Sequence, residues 1–307
     1  MTPPDQKIAV VTGANTGLGF ETSLALAQAG CKVVLACRNE AKAKTAMANI
    51  RKAAPSADLE FMPLDLIDRE SIRAFAAAFA EAHERLDILV NNAGVMVPPH
   101  TITQNGLELQ FDANHVGHFY LTKLLFDRLD QPYETRVINV SSLAGKRPFA
   151  DIHFDNLNFE GTYDDGPKLM GSTGLTAYCQ SKLANILFTL GLKERVEAAG
   201  KNVKAVVVHP GGSLTDLGRN LPWHVQIIAP IMARFMSFST PAEGAQSSIH
   251  AALDPDVKAG DFFGPTGKGE RIGPPGRVPF TEKSQDKDLR DRLWALSEKL
   301  LGVEFKI

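Results

Sequence analysis

The fold is indicated first by the glycine-rich segment Thr12-Gly13-Ala14-Asn15-Thr16-Gly17-Leu18-Gly19. It follows the apolar run Ile8–Thr12, which predicts a strand, and leads into Leu18–Ala29, which predicts a helix. Glycines let the backbone turn tightly and approach a pyrophosphate, and the amides at a helix N-terminus attract anions. The spacing is G-x-x-x-G-x-G, whereas many dinucleotide-binding folds have G-x-G-x-x-G. The stretch predicts a phosphate-binding loop whose candidate residues are Gly13, Asn15, Thr16, Gly17, Leu18 and Gly19.

Short apolar runs alternate with helical segments beyond this loop. Helices are predicted at residues 40–53 and 69–83, and strands at Lys32–Ala36, Leu59–Met62, Ile88–Val90, Val137–Val140 and Val203–Val208. The runs are continuously apolar, which is typical of strands that are buried on both faces of a parallel sheet. The strand–helix–strand order therefore predicts an α/β fold, a doubly wound Rossmann-type parallel sheet flanked by helices.

Three segments interrupt this order within what we interpret as one dinucleotide-binding catalytic domain, residues 1–307. Residues 146–176, which show little periodicity, and the amphipathic stretch 221–238 both follow predicted strands and are interpreted as lid-like segments. The Gly/Pro-rich residues 260–279 predict a loop, and the leucine spacing of Asp286–Leu301 predicts a helix. Residues 260–307 are thus expected to form a C-terminal helical extension.

The composition excludes several classes of protein. A net charge of −2 gives no general attraction to nucleic acid. The three cysteines lack the spacing of a disulfide framework or a metal site, which favours a reducing compartment, and we expect a cytoplasmic protein without a metal. The apolar stretch 221–238 is interrupted by polar residues and proline, so no transmembrane segment is expected. Residues 1–7 are polar and lead directly into an apolar strand, so no signal peptide is expected. The sequence leaves open whether the protein is a monomer or a homo-oligomer.

The end of the second predicted strand bears on the choice of cofactor. An NAD site would place an acidic residue here, roughly 20 residues beyond the glycines, to bind the ribose 2′-hydroxyl. This chain has Arg38 and Asn39 instead, and its first acid is Glu40. A guanidinium can bind a 2′-phosphate through charge-assisted hydrogen bonds. The pattern favours NADP(H) over NAD(H), and the alternative interpretation of Arg38 is a solvated surface arginine.

Further motifs follow the predicted strands in order. They are Asp65-Leu66 after the third strand, Asn91-Asn92-Ala93-Gly94 after the fourth, Asn114 on a helix, Ser141-Ser142 after the fifth strand, Tyr178-Cys179-Gln180-Ser181-Lys182 opening the next helix, and His209-Pro210-Gly211 after the sixth. This ordered set resembles the short-chain dehydrogenase/reductase family, closely over about residues 7–215 and loosely beyond. The strand end Ala36-Cys37-Arg38-Asn39, the Tyr-Cys-x-Ser-Lys wording and the long insert between Ser142 and Tyr178 are similar to retinol-dehydrogenase-like and protochlorophyllide-reductase-like members.

The resemblance implies a catalytic role for four residues. Tyr178 would be the general acid in carbonyl reduction and the base in alcohol oxidation, and Ser142 would bind the substrate oxygen. Lys182 lies four residues after Tyr178 and therefore on the same helical face, where its charge would lower the pKa of a phenol from its usual value of about 10. Asn114 would position a water in a proton relay, with a helix-interior amide as the alternative interpretation.

The resemblance also implies contacts with the cofactor. Asp65 and the Leu66 amide would lie at the adenine, and Lys182, beside Tyr178, would hold the nicotinamide ribose. The remaining implied contacts are Asn92, Ala93 and Gly94 at the adenosine ribose, Pro210 and Gly211 at the nicotinamide, and Thr215 at the carboxamide. The Gly212-Ser213-Leu214 wording before Thr215 departs from the commonest family pattern. His115, His118, His209 and Cys179 are expected to be structural.

The sequence thus predicts an NADP(H)-dependent oxidoreductase that interconverts a carbonyl and an alcohol. The lid-like segments supply apolar residues that suit a hydrophobic small-molecule substrate, or that pack the lid onto the domain. These residues are Phe149, Leu169, Met170, Trp223, Ile227, Ile228, Met232, Phe235 and Met236. Two alternatives remain, a light-dependent or other ring-double-bond reductase of the protochlorophyllide reductase kind and a catalytically silent NADP-sensing regulator. The complete set of four catalytic residues argues against the regulator.

Overall fold

The strands assemble into one sheet in the computed structural model, which describes residues 6–162, 172–212 and 239–307. The strands are β1 (Ile8–Thr12), β2 (Lys32–Cys37), β3 (Leu59–Pro63), β4 (Ile88–Asn91), β5 (Thr135–Val140), β6 (Val203–Val208), β7 (Phe262–Pro265) and β8 (Pro275–Arg277). Their order is β3-β2-β1-β4-β5-β6-β7-β8. All neighbours are parallel except β7 and β8, which pair antiparallel. The predicted doubly wound Rossmann-type sheet is confirmed, with one antiparallel edge strand added.

Helices cover both faces of this sheet. They are α1 (Gly17–Gln28), α2 (Glu40–Ala53), α3 (Arg69–Ala82), α4 (Leu109–Phe111), α5 (Gly117–Leu129), α6 (Thr173–Ala198), α7 (Pro241–Leu253), α8 (Glu282–Gln285) and α9 (Lys287–Leu301). A π-helical turn, Asp112–Val116, joins α4 to α5, and 3-10 turns lie at Leu143–Lys146 and Lys268–Glu270. None of the helices in the described ranges is long and apolar enough to cross a membrane.

Successive residues of each central strand enter different cores. Val10 on β1 packs in the cluster that contains Phe119 of α5, whereas Val11 packs in the cluster that contains Leu26 of α1. Side chains alternate across a strand, so both faces must be apolar when helices cover both. This explains the continuous apolar runs from which the strands were predicted.

An aromatic cluster ties the C-terminal region to the two long central helices. The ring centroid of Phe119 on α5 lies 5.1 Å from that of Phe188 on α6, 4.9 Å from Trp294 on α9 and 5.5 Å from Phe305. Aromatic pairs at these separations add to the free energy gained from burial. The C-terminal helix is therefore part of the main core.

The prediction of an unstructured loop at residues 260–279 is wrong. Phe262 and Phe263 form β7 by pairing with Val207 and Val208 of β6, and both rings are buried. This strand has only four residues and lies among glycines and prolines. A run this short carries too little periodicity to be predicted from the sequence. The C-terminal extension consequently adds two strands to the sheet as well as helices.

Candidate active site

The candidate site lies at the carboxyl ends of the central strands. The strand order reverses between β1 and β4, and open α/β sheets bind ligands in the crevice outside such a reversal. Thr12, Asn91 and Val140 end β1, β4 and β5 there. The predicted motifs follow these strands and are thereby brought to one edge of the sheet.

The predicted phosphate-binding loop makes a tight turn between β1 and α1. Gly13 has φ +67°, and its amide donates to the Ala36 carbonyl at 2.8 Å. A Cβ placed at Gly19 would lie 2.4 Å from the Gly13 carbonyl oxygen, so the packing of helix against loop requires a glycine. The first turn of α1 carries no acidic residue, and within the described residues Thr16 gives it no side-chain cap. The uncapped backbone amides at the N-terminus of α1, and the positive end of the helix dipole there, fit the pyrophosphate of a dinucleotide.

Thr12 joins this loop to the motif after β4. Its hydroxyl accepts hydrogen bonds from the amides of Asn92 and Ala93, both at 2.9 Å, and the Asn92 side chain donates to the Thr12 carbonyl at 2.8 Å. The Asn92 amide group is thus used to hold two loops together, and its contact with an adenosine ribose stays a prediction. Thr12 was not among the predicted site residues, since it reads as an ordinary strand end.

His118 extends the same network to Asn114, one of the predicted catalytic residues. The Thr12 hydroxyl lies 2.9 Å from His118 Nε2, and His118 Nδ1 lies 3.0 Å from the Asn114 carbonyl oxygen. The hydroxyl already accepts two amides, so it donates to Nε2, and Nδ1 carries the proton that the carbonyl accepts. Complete burial lowers the pKa of His118 to about 4, which keeps the ring neutral. The residue is structural, as expected, and it connects the two halves of the site.

Arg38, Asn39 and Asp65 lie just beyond the ends of β2 and β3, where the sequence predicts the adenosine end of the cofactor. The Arg38 side chain is 67% exposed, and Nη1 lies 3.9 Å from Asp65 Oδ2. Asn39 caps α2 by accepting from the Lys42 amide at 2.9 Å. An accessible guanidinium at this position is available to a 2′-phosphate and equally fits a solvated arginine, so the choice of cofactor stays a prediction. Leu66 is buried, and a Cβ at Gly117 would lie 2.3 Å from its carbonyl oxygen.

Asn114 sits in the π-helical turn and is fully buried. Its side-chain nitrogen donates to the Val95 carbonyl at 2.9 Å and to Ser181 Oγ at 3.0 Å, and its side-chain oxygen accepts from the Val95 amide at 2.8 Å. The side chain therefore bonds to neighbouring segments and not to its own helix. Single π-helical turns are frequent at functional sites. The relay role of Asn114 itself stays a prediction.

Tyr178 and Lys182 lie one turn apart on α6, as their spacing predicts. The Lys182 side chain is buried, and Nζ donates to the Val140 carbonyl at 3.1 Å and lies 5.7 Å from the centroid of the Tyr178 ring. Burial lowers the pKa of Lys182 to about 8, so the ammonium form still predominates at neutral pH. A Cβ at Gly94 would lie 3.4 Å from Nζ, which places the motif after β4 against the lysine. A buried positive charge beside a phenol favours the phenolate and suits proton exchange.

The two serines after β5 have different surroundings. Ser141 is buried, and its hydroxyl donates to the Lys182 carbonyl at 2.7 Å. Ser142 is half-buried and begins the 3-10 turn Leu143–Lys146, where its hydroxyl accepts from the Ala144 amide at 3.2 Å. The hydroxyl of Ser142 still has a proton to donate, which fits the predicted contact with a substrate oxygen. Cys179 is fully buried, and burial raises its pKa to about 11, so it remains a thiol.

A second buried network supports the segment that follows Gly94. Val97 adopts φ +45°, a value rare for β-branched residues, and its amide donates to Gln110 Oε1 at 2.8 Å. Gln110 Nε2 donates to Glu108 Oε1 at 3.1 Å and to the Gly174 carbonyl at 3.0 Å. Strained residues cluster at functional sites. The sequence carries no motif for these residues, because their contacts are between distant segments.

Pro210 and Gly211 follow β6, as predicted. Gly211 adopts φ +75°, and a Cβ there would lie 2.4 Å from the Arg271 carbonyl oxygen, so the turn accepts only glycine. Thr215, the lid-like segment 221–238 and residues 163–171 of the first lid-like segment lie outside the described residues. In the described part of the chain, no group of three or more His, Cys, Asp or Glu side chains is arranged to hold a metal ion.

Comparison with known proteins gives relatives over almost the whole chain. Residues 7–153 match the family of short chain dehydrogenases. The chain is 39% identical to retinol dehydrogenase 13 of Homo sapiens over 305 residues, which are 97% of this chain and 85% of that protein. It is 38% identical to retinol dehydrogenase 14 of Mus musculus over 312 residues, 97% of this chain and 86% of that protein.

Solved structures show the same architecture. An uncharacterized protein from Mycobacterium paratuberculosis has a TM-score of 0.77 and 33% identity, covering 98% of this chain and 95% of its own. The NADP complex of RhlG from Pseudomonas aeruginosa has a TM-score of 0.62 and 25% identity, covering 83% of this chain and 93% of its own. With 98% of this chain covered, the similarity to the first structure includes the C-terminal strands and helices.

Proposed function

The chain belongs to the short-chain dehydrogenase/reductase family, and from this premise we propose that it interconverts a carbonyl and an alcohol on a hydrophobic small molecule with NADP(H). The observation that carries the proposal is the buried Lys182 ammonium, 5.7 Å from the Tyr178 ring at the carboxyl end of β5. Burying an ammonium is costly, and strongly perturbed groups in a cleft are typical of active sites.

We assign proton transfer to Tyr178. In carbonyl reduction its hydroxyl gives a proton to the substrate oxygen, and in alcohol oxidation its phenolate takes one up. The adjacent ammonium of Lys182 stabilises the phenolate by Coulomb attraction, which is strong in a water-poor site. Ser142, half-buried at the end of β5, donates a hydrogen bond to the same substrate oxygen and stabilises charge that develops there.

The loop after β1 and the exposed Arg38 support the choice of cofactor. Hydride transfer is the chemistry that NADP(H) supplies when bound. The uncapped N-terminus of α1 would hold the pyrophosphate, and Arg38 would pair with the 2′-phosphate. Asp65 would lie beside the adenine, and Lys182 would bind the nicotinamide ribose.

The relatives support an apolar substrate. They are named for retinol, which is a long hydrocarbon alcohol, and the similarity extends over 97% of this chain. Phe149, in the described part of the first lid-like segment, is 51% exposed and thus available to cover a ligand. Apolar pockets with few polar groups bind such molecules.

The proposal is tested with a series of aldehydes of increasing chain length, assayed with NADPH and with NADH. We expect kcat/KM to rise with chain length, since each buried methylene contributes about 0.8 kcal/mol, and to fall when a carboxylate is added at the far end. Activity that does not depend on length, or that rises with the carboxylate, would contradict the apolar pocket. Absence of turnover with every carbonyl and alcohol would contradict the enzymatic proposal.

A further inference from the structure

The carboxylate of Glu270, in the C-terminal extension, connects two segments of the active site. Its Oε1 and Oε2 lie 2.7 and 2.5 Å from Lys146 Nζ, and Oε2 also lies 3.0 Å from His209 Nε2. Lys146 ends the 3-10 turn that begins after Ser142, and His209 precedes Pro210. One side chain, far away in the sequence, thus bridges the segment of the candidate serine and the turn after β6.

The hydrogen-bonding role of His209 follows from its neighbours. The amide of Gly211 donates to His209 Nδ1 at 3.1 Å, so the neutral ring carries its proton on Nε2 and donates it to Glu270. The ring is fully buried, and a Cβ at Gly264 would lie 2.1 Å from Nε2, so only glycine leaves space for it. The carboxylate therefore fixes the ring, and the ring in turn fixes the Gly211 amide.

The backbone next to Glu270 contacts the same turn directly. The Arg271 carbonyl accepts from the Gly212 amide at 2.8 Å, and it is also the atom that a Cβ at Gly211 would meet. Glu270 itself adopts φ +56°, in the left-handed region that long side chains rarely occupy. Such strain persists only where surrounding contacts hold it, and here the contacts are Lys146 and His209.

Lys146, the second partner of the Glu270 carboxylate, is itself held in place by its neighbours. Its ammonium lies 5.1 Å from the centroid of the Phe262 ring on β7, within the range of a cation–π interaction, and its side chain is 11% exposed. A charge pair this far removed from water is stronger than a surface pair. Lys146, Glu270 and His209 form a cluster that we call the C-terminal clamp.

We propose that Glu270 is a positioning residue, which through the C-terminal clamp holds the Pro210–Gly211 turn in place against the nicotinamide end of the cofactor. The inference rests on the proposed function, because that function places the nicotinamide at this turn. In this role Glu270 touches neither substrate nor cofactor. It acts through the Gly211 and Gly212 amides, and the C-terminal extension thereby contributes to cofactor binding.

The test compares two ligands on the cofactor-free, full-length protein by titration calorimetry. NADPH carries the nicotinamide, whereas adenosine 2′,5′-bisphosphate occupies only the adenosine end. In Glu270→Gln the amide NH2 faces the Lys146 ammonium, and we expect the Kd of NADPH to rise about tenfold while that of the bisphosphate changes less than about twofold. The matched control is Glu194→Gln, which removes the charge that Glu194 on α6 shares with Arg290 on α9 at 2.5 Å, and it should change neither Kd.

Hydrogen exchange gives a readout that needs no ligand. In Glu270→Gln the Gly211 and Gly212 amides should exchange faster than in the wild type, whereas the amides of β1 should not. Should this variant fail to fold, Lys146→Met breaks the same cluster from the other side and is expected to weaken NADPH selectively as well.

The possible outcomes separate the two proposals. A wild type that binds neither ligand contradicts the proposed function, and this inference with it. A wild type that binds NADPH, with variants that leave its Kd and the Gly211 exchange unchanged, contradicts only the role of Glu270. Equal weakening of NADPH and the bisphosphate would show a global loss of structure and would also overturn it.

Discussion

The two ends of the candidate cofactor site are built in different ways. The adenosine end consists of turns that directly follow β1, β2, β3 and β4, all within residues 12–94. The Thr12 hydroxyl at the end of β1 accepts from two amides of the turn after β4. The nicotinamide end combines residues that are far apart in the sequence, as in the contact of Lys146 with Glu270 across 124 positions. The comparison shows that local motifs can form one half of a site, whereas the other half depends on the completed tertiary structure.

Replacing the tyrosine should separate the two ends most clearly. In Tyr178→Phe we expect kcat to fall about a thousandfold, because a positioned acid or base typically contributes 10² to 10⁴. The Kd of NADPH should stay within about twofold, since the adenosine end is untouched. Steady-state kinetics and calorimetry measure the two quantities. The control is Tyr120→Phe, which removes a hydroxyl on α5 that accepts from Arg73 on α3 at 3.1 Å. Turnover of Tyr178→Phe within tenfold of the wild type would refute the assignment.

Removing the Thr12 hydroxyl tests whether the adenosine end depends on one residue. In Thr12→Val the Asn92 and Ala93 amides and the His118 ring lose their partner, and we expect the free energy of unfolding to fall by about 3 kcal/mol. Urea denaturation gives this quantity. Thr12→Ser keeps the hydroxyl and should lose only about 1 kcal/mol for the methyl group. Equal effects of both substitutions would assign the loss to packing alone.

Reversing the charge of Arg38, which follows β2, tests whether this residue binds the 2′-phosphate of the cofactor. We expect Arg38→Asp to raise the KM of NADPH about a hundredfold and to leave that of NADH nearly unchanged, because one charge-assisted contact is replaced by repulsion. Arg51→Asp makes the same charge change near the end of α2 and should shift neither constant by more than about twofold. Similar KM values for NADPH and NADH in the wild type would count against the proposed preference.

Replacing the buried Lys182 should change stability in the opposite direction from Thr12→Val, because it should make the folded protein more stable. The pKa of Lys182 is about 8 in the folded protein, against an ordinary value of 10.5. The unfolded chain therefore binds the proton more tightly, so the cost to stability is complete below pH 8, falls between pH 8 and 10.5 and vanishes above. We expect Lys182→Met to raise the free energy of unfolding at pH 7 and to leave it nearly unchanged at pH 11. A destabilised variant at pH 7 would indicate that the Val140 hydrogen bond outweighs the cost of burial.

The sequence predicts most of the adenosine end because its information is local. The glycines of the first loop and the apolar strands before each motif determine which residues meet at the sheet edge, and β1 and β6 have the predicted bounds. The Tyr178–Lys182 pair is predictable for the same reason, since one helical turn relates them. Thr12 and His118 could be found only afterwards, because their roles depend on a hydrogen bond between residues 106 positions apart.

The C-terminal region was harder to predict for a physical reason. Phe262 and Phe263 form a strand because β6 offers an unpaired edge beside them. The pattern of four residues contains no information about a strand elsewhere in the chain with which they can pair. Helix α7 begins with a capping box between Thr240 and Glu243, which is a local signal of a helix start. Glu270 follows glycine in a turn, so its sequence context indicates an isolated surface residue and not one that bridges Lys146 and His209.

The aromatic cluster has a consequence for how the chain reaches its native state during translation. Phe119 and Phe188 emerge from the ribosome long before Trp294 and Phe305, the rings against which they pack. The first strands and helices can pair as they appear, because domains fold as their amino-terminal parts are synthesised. The parts of α5 and α6 that pack against the last helix, including Phe119 and Phe188, remain exposed until that helix has been synthesised. We expect nascent chains arrested before residue 294 to be cleaved within α5 and α6 by added protease, and chains extended beyond residue 305 to resist it.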